Sequence, residues 1–380
     1  MYKVSVIVPV YNAERDLRPC LESLVAQTLK DTEIVIINDG STDGSLLIAE
    51  EYAKKYEWVT VYSTKNMGVS HARNYGAAMS HGAFLAFVDA DDYVEPDYCK
   101  AMYEKAVGDG NDLVVCRFDK ITLSDGQMKH ILPSNTFFEE DNFRMEDHRE
   151  LLHEINVGPW DKLIKRDLFD RIRFPEGIRY AEDQIFTVKV LCLAQRIGTL
   201  KKVLYHYCFE SHSGVTSGFG AERLDWMTVM SKLYDFMYSD EAKGCFDTEI
   251  EYFIVSKSIR LFSAATIRTN SQQDIRKKLV IGIHDLLREM APNWRKNPYY
   301  ISEVKQRSCR FFPSYYNYRS GKRYRPPYSN YGKGHLLLLI NLSRFLPETM
   351  YKLVWQGDQV LFYICRVIRW RMLYSSRKGA

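Results

Sequence analysis

The feature that most constrains this chain is the rhythm of its first hundred residues. Short apolar, β-branched runs alternate with stretches of helical spacing, and most of the runs end in polar residues. Val4–Val10 has the composition of a strand buried on both faces. Glu14–Thr28 places Leu17, Leu21, Leu24 and Val25 at helical spacing. Glu33–Ile37 is the next strand, and Ser41-Thr42-Asp43 reads as the start of a helix over Leu46–Tyr56. Trp58–Tyr62, Val69–Ser80 and Ala83–Val88 continue as strand, helix and strand. Alternation in units this short dictates an α/β fold, a mostly parallel sheet with helices on both faces.

Further along, Asp112–Phe118 and Leu200–Cys208 read as strands, Pro159–Ile172 and Ala181–Ala194 as helices, and residues 120–145 as loop. Beyond Ser217 the strand signal fades, and Ala221–Tyr238 and Asp247–Thr269 carry helical patterning. The expected organisation is therefore an α/β domain over 1–217, an α-helical region over 218–300 and a basic tail over 301–380. In the tail a Tyr/Arg/Pro-rich connector, Phe311–Lys333, precedes an apolar, basic helix over Leu336–Arg371.

The composition suits a folded chain: 46% hydrophobic and 26% charged residues, with only 21 Gly and 12 Pro in 380. The net charge of +4 argues against a bulk nucleic-acid binder, and no nucleic acid is expected as a partner. The charge is unevenly spread. From Glu303 onward there are 15 Lys or Arg and 3 Asp or Glu, whereas the preceding residues carry 37 basic and 45 acidic groups. The eight cysteines form no CxxC pair, so a zinc or redox motif is unsupported. MYKVSVIVPVYN lacks the features of a signal peptide, and no run approaches the ~20 apolar residues of a spanning helix. Reduced thiols and a cytoplasmic location are expected.

In an open parallel sheet, ligands bind beyond the carboxyl ends of the strands. Three polar clusters fall at such ends: Tyr11-Asn12, Asp39-Gly40 and Asp89-Ala90-Asp91-Asp92. One aspartate in such a place reads as a turn or helix cap; three clusters on one rim read as a site. No GxGxxG follows the first strand and there is no GxxxxGK[ST], so dinucleotide and P-loop cradles are unsupported. Two carboxylates spaced by two residues point the same way along an extended chain. That arrangement suits Mg²⁺ or Mn²⁺, which take oxygen ligands and commonly share them with substrate phosphates.

VSVIVPVYNAERDLRPCLESLVAQTL, EIVIINDGSTDGS, NMGVSHARNYG and FLAFVDADDYVEPD, in that order, resemble the family 2 glycosyltransferases. PWDKLIKRDLF and RYAEDQIF match the family's later segments, so the resemblance covers about residues 3–215. It implies a GT-A fold, a UDP-sugar or other nucleotide-sugar donor, a divalent metal (Mn²⁺ or Mg²⁺) and inversion at the anomeric carbon. Pro9, Tyr11 and Asp39 match positions that hold the base and ribose. Gly68 and Arg73 match the segment packed on the nucleotide. Asp89, followed by Ala90, matches the residue facing ribose and sugar; Asp91 matches the metal ligand and Asp183 the catalytic base.

Several matches also have a purely structural reading. Trp160 and Lys162 match a pocket-lining segment, but Trp160 reads equally well as core. Glu182 reads as a partner of a helix N-terminus, Asp92 as a cap for its turn, and His206 and His212 as structural residues rather than diphosphate or metal contacts. The implied acceptor is a saccharide or a polyprenyl-linked molecule, in surface polysaccharide or glycolipid synthesis. In the tail, Lys352, Gln356, Gln359, Tyr363, Arg366 and Arg369 form one narrow helical stripe on an otherwise apolar segment. Such a helix lies on the inner face of the membrane, or packs against the body or a second copy in a homo-oligomer. A sugar-phosphate nucleotidyltransferase and a catalytically dead nucleotide-sugar binder are the alternatives. The first would need a glycine-rich basic loop where VPVYNAERD stands.

Overall fold

The computed structural model describes residues 2–124, 127–131, 139–208, 220–242, 245–267 and 273–301. His212 and the tail helix therefore lie outside the described residues. The chain divides into two units. The described residues up to Ser258 and from 273 onward belong to one; of the other, Ile259–Ile267 is described, as the end of a helix.

The first half follows the expected rhythm. Strand β1 (Val4–Val10), helix α1 (Leu17–Val25), β2 (Thr32–Asp39), α2 (Ser45–Lys55), β3 (Val59–Thr64), α3 (Val69–Met79) and β4 (Phe84–Phe87) succeed one another. β1 lies between β2 and β4, parallel to both, and β2 pairs in parallel with β3. Buried side chains of β1 and β2 alternate between two apolar layers. Val4, Val6, Val8 and Val10 join Leu17, Leu21 and Leu24 of α1 and Ile48 and Tyr52 of α2 on one face. On the other face α3 comes so close that a Cβ on Gly76 would meet Ile7 Cγ2 at 2.6 Å, which is why only glycine fits there.

At the amino ends of these strands a buried carboxylate serves structure alone. Glu33 accepts from Ser5 Oγ at 2.7 Å and from the Gly82 N–H at 3.0 Å. The carboxyl ends are thus the rim left for a ligand.

The second half departs from expectation. After β5 (Tyr93–Val94) comes α4 (Tyr98–Asp109), a helix not anticipated, which buries Tyr98, Cys99, Met102 and Ala106 and ends at the left-handed Gly110. β6 (Leu113–Ser124) runs well past Phe118 and pairs with β7 (Gln127–Ile131); with β8 (Asn142–Phe143), they put strand into part of the loop expected over 120–145. Pro159–Ile172 is not one helix. It is strand β9 (Lys162–Lys165) followed by α5 (Arg166–Arg171). β9 pairs antiparallel with β4 on one side and β6 on the other, so long-range pairing overrides the local helical spacing. α6 (Glu182–Leu193) and β10 (Ile197–Cys208) lie close to where they were expected.

The described strands form one sheet in the order β3-β2-β1-β4-β9-β6-β10-β5, with β7 beside β6 and β8 beside β10. Helices α7 (Asp225–Met237), α8 (Asp247–Ile267) and α9 (Gln273–Met290) follow. Trp226 of α7 donates its Nε1–H to Ser258 Oγ of α8 at 3.0 Å. No helix of the described residues is long and apolar enough to cross a membrane.

Candidate active site

The rim is assembled from the loops after β1, β2 and β4. The first two are laced together. Asn12, at a positive φ of 49°, accepts from the Thr42 N–H at 2.8 Å and donates its own N–H to Ser41 Oγ at 3.1 Å. Asp43 accepts from the Glu14 N–H and, at the start of α2, from the Ser45 N–H. Tyr11 stays half exposed and Pro9 partly so, leaving both faces available to a ligand.

Asp39 is buried, and both its oxygens are engaged. Oδ1 accepts from the Met67 N–H at 2.9 Å and from Thr64 Oγ1 at 3.1 Å, and Oδ2 from the Gly68 N–H at 2.8 Å. The carboxylate thereby fixes the turn into α3. Gly68 there has φ 93°, a conformation that disfavours any side chain.

Arg73, one turn into α3, sits at the centre of the site. Its guanidinium is buried and donates to Asp89 Oδ1 at 2.8 Å and to Glu182 Oε1 at 3.3 Å. It also lies over the Phe174 ring, 5.2 Å from the centroid. Burial works against its charge, but Asp89, Glu182 and Asp183 outweigh that and raise its pKa. Its Nε–H is buried without a partner, an uncommon state for a donor that a ligand oxygen would relieve.

The acidic run alternates. Asp89 and Asp91 are partly exposed, while Ala90 and Asp92 are buried. Asp92 is held from β10: it accepts from the Tyr205 hydroxyl at 2.5 Å and from the Cys208 N–H at 2.8 Å. Burial, with the charges of Asp91 and Asp89, pushes its carboxyl well above the usual range. Asp92 thus ties the loop to the sheet, as its reading as a cap expected, and leaves Asp89 and Asp91 to face outward.

Glu182 and Asp183 open α6, just after Ala181 at a left-handed φ of 64°. Burial pushes the Asp183 carboxyl up to about 7, and the charge of Glu182 adds to the rise while Arg73 opposes it. The acidic run and this pair share one electrostatic neighbourhood. Tyr207 is pushed up to about 12 by burial, with the charges of Asp92, Asp91, Asp89 and Asp183 adding to the effect. Residues from opposite ends of the sheet-forming sequence are therefore brought together, joined directly by Arg73.

Trp160 and Lys162 are placed differently from a substrate platform. The Trp160 ring stacks on Tyr205 at 4.5 Å and on Tyr207 at 5.5 Å, and meets Phe118 edge-on at 4.6 Å. Lys162 is fully buried, and its Nζ donates to Asn156 O at 2.8 Å, Gly158 O at 2.7 Å and Asp161 Oδ1 at 2.5 Å. All three donors are spent on the loop before β9. His206 is buried between Asp119 and Glu95. Tyr205, Cys208 and Phe174 support the site without having been singled out in the sequence; each acts through a partner about a hundred residues away, which no local motif encodes.

The model of the family described as glycosyl transferase family 2 matches residues 5–173. The glycosyltransferase EpsJ of Bacillus subtilis, whose own role is uncharacterized, is 32% identical over 297 residues, covering 75% of this chain and 85% of EpsJ. The chain belongs to the family 2 glycosyltransferases. It is accordingly a glycosyltransferase, and the nucleotidyltransferase alternative falls. The putative glycosyltransferase EpsH of B. subtilis is 38% identical over 210 residues, 54% of this chain and 60% of EpsH. Among solved structures, S. aureus TarS 1–349 aligns over 85% of this chain and 93% of its own, with a TM-score of 0.63 at 22% identity. That likeness bears on the fold, which is of the expected GT-A type.

Proposed function

We propose that this glycosyltransferase moves a sugar from a UDP-sugar to an acceptor hydroxyl by a single displacement that inverts the anomeric carbon. The observation that carries the reading is the Arg73 clamp, which holds Asp89 against Glu182 beside an Asp183 carboxyl raised to about 7. A base is most useful with a pKa near the working pH. Asp183 accepts the proton of the acceptor hydroxyl as its oxygen attacks the anomeric carbon, and the bond to the nucleoside diphosphate breaks. No covalent intermediate is needed, so an α-linked donor gives a β-glycoside. Pro9, Tyr11, Asp39 and Gly68 form the nucleotide end of the site, with Arg73 and Ala90 below the donor.

The partly exposed carboxylates of Asp89 and Asp91 are an oxygen-only donor set, which fits Mn²⁺ or Mg²⁺. Asp91 would hold the ion, which when bound neutralises the leaving diphosphate. Asp89, already paired with Arg73, faces the ribose and sugar. The proposed acceptor is a saccharide or polyprenyl-linked molecule, in surface polysaccharide or glycolipid synthesis at the inner face of the cell membrane.

S. aureus TarS has been solved with UDP-GlcNAc, which makes that sugar the first donor to assay. The test is UDP release from a panel of UDP-sugars with Mn²⁺, followed by the anomeric configuration of any product. Metal-dependent release and a β-linked product are expected. Retention of configuration would contradict the single displacement. Donor binding without any release would identify a dead site.

A further inference from the structure

We propose a second metal site, for a cation of the zinc class, formed by Asp119, His130 and His206 on the β6–β7–β10 part of the sheet. The register builds it. His206 of β10 pairs directly with Asp119 of β6, and His130 of β7 pairs with Ile121, two residues on and hence on the same face as Asp119. One ligand atom from each of the three lies within 4.8 Å of the others. The two imidazoles meet the two oxygens of one carboxylate: His206 Nδ1 lies 2.7 Å from Asp119 Oδ1, and His130 Nδ1 lies 2.6 Å from Asp119 Oδ2. Asp119 and His206 are buried, whereas His130 is half exposed and would leave the site open on one side.

The surroundings are those of a metal ligand. The other nitrogen of His206, Nε2, lies 3.0 Å from Glu95 Oε1. A carboxylate behind a ligating imidazole fixes its tautomer and ring plane. Tyr93 stacks on the same ring at 4.5 Å and 26°. A tetrahedral zinc ion with bonds of about 2.0–2.1 Å needs ligand atoms about 3.3 Å apart, so the two carboxylate–imidazole contacts would open by under 1 Å, while the two imidazole nitrogens, now within 4.8 Å of each other, would settle to that spacing. Two imidazoles and one carboxylate favour a borderline transition ion over Mg²⁺, which prefers oxygen. The donor set differs from that of the acidic run, and the site stands whether or not the transfer mechanism is right. Its consequence is mechanical. Tyr93 follows Asp92 directly, so an ion gripping His206 braces the strand that carries the acidic loop.

The test uses the full chain, stripped with EDTA and titrated with Co²⁺ while visible absorption is recorded. One equivalent should give an intense tetrahedral band that Zn²⁺ displaces and excess Mg²⁺ does not. His130→Ala, at an exposed position that leaves the fold intact, should weaken binding at least about tenfold or abolish the band. Asp91→Asn should keep it. Absence of the band in the wild type, its survival in His130→Ala as it would survive on cysteine thiolates, or its loss in Asp91→Asn would each overturn the proposal.

Discussion

The two halves of the sheet are built on different logic. In β3-β2-β1-β4 every pairing is parallel, and each strand is linked to its sequence neighbour by a helix. Its solvent-facing polar groups gather at one rim, while Ser5, Glu33, Asn38 and Asp39 are buried. In β9-β6-β10-β5 the pairings are mixed, β9 runs antiparallel to both neighbours, and charged groups lie inside: Asp161 with Lys162, Asp92 with Tyr205, Asp119 with His206. The first half presents the rim at which nucleotide binding is proposed. The second holds the acidic loop in place and, through α6, supplies Asp183. The two halves meet at Arg73, which joins Asp89 to Glu182.

The largest expected effect belongs to the outward-facing carboxylates. Asp91→Asn, or wild type in excess EDTA, should lose transfer on the order of 10³-fold, since a metal contributes several kcal/mol to a developing charge. The melting temperature of the variant should hardly move. Full activity in either case would place the leaving-group charge elsewhere.

In the second half the expected damage is to stability instead. Lys162→Met leaves Asp161 buried and uncompensated, which costs about 3–5 kcal/mol. Denaturant unfolding should register that loss, while the donor KM of the folded fraction stays as in wild type. A selective rise in KM at unchanged stability would return Lys162 to the substrate pocket. Tyr205→Phe removes the hydroxyl from Asp92 and from the Asp89 N–H, and should cost about 1–3 kcal/mol, read in the same unfolding experiment.

The smallest effect is a slope. The Asp183 carboxyl is raised in the folded state from an ordinary value of 3.8 to about 7. Whatever stability its protonated form contributes is therefore full below about pH 4 and is lost as pH rises through about 7. Thermal melts of Asp183→Asn should gain on wild type between pH 5 and pH 8. Parallel pH curves for the two proteins would show that burial does not raise this carboxyl.

The same contrast explains what could be read from the sequence. β1 was predicted residue for residue, and β2, α3 and the acidic cluster were placed almost as closely, because each parallel strand and its helix form a local unit whose apolar spacing is contiguous. Asp39, Asp89 and Asp91 could be singled out because they stand at strand ends, and Asp183, at the start of α6, because its segment resembles a motif of the family. β9 was misread as helix because KLIK becomes a strand only through β4 and β6, about eighty and fifty residues away. The surroundings of Lys162 were hidden for a related reason. Whether a lysine lines a pocket or closes a loop depends on the carbonyls of Asn156 and Gly158, and sequence spacing does not say where they point. The meeting of Asp119, His130 and His206 depends on strand register and left no spacing signature at all.

The most direct test of the account is the partition of one substitution between binding and turnover. In Asp183→Asn, calorimetric affinity for the UDP-sugar should stay within a few-fold of wild type, because the nucleotide edge belongs to the other half of the sheet. Turnover to acceptor should fall by about 10²–10⁴-fold, the usual contribution of a general base. If affinity collapses and turnover per bound donor survives, Asp183 is a donor-binding residue and the proposed division of labour is wrong.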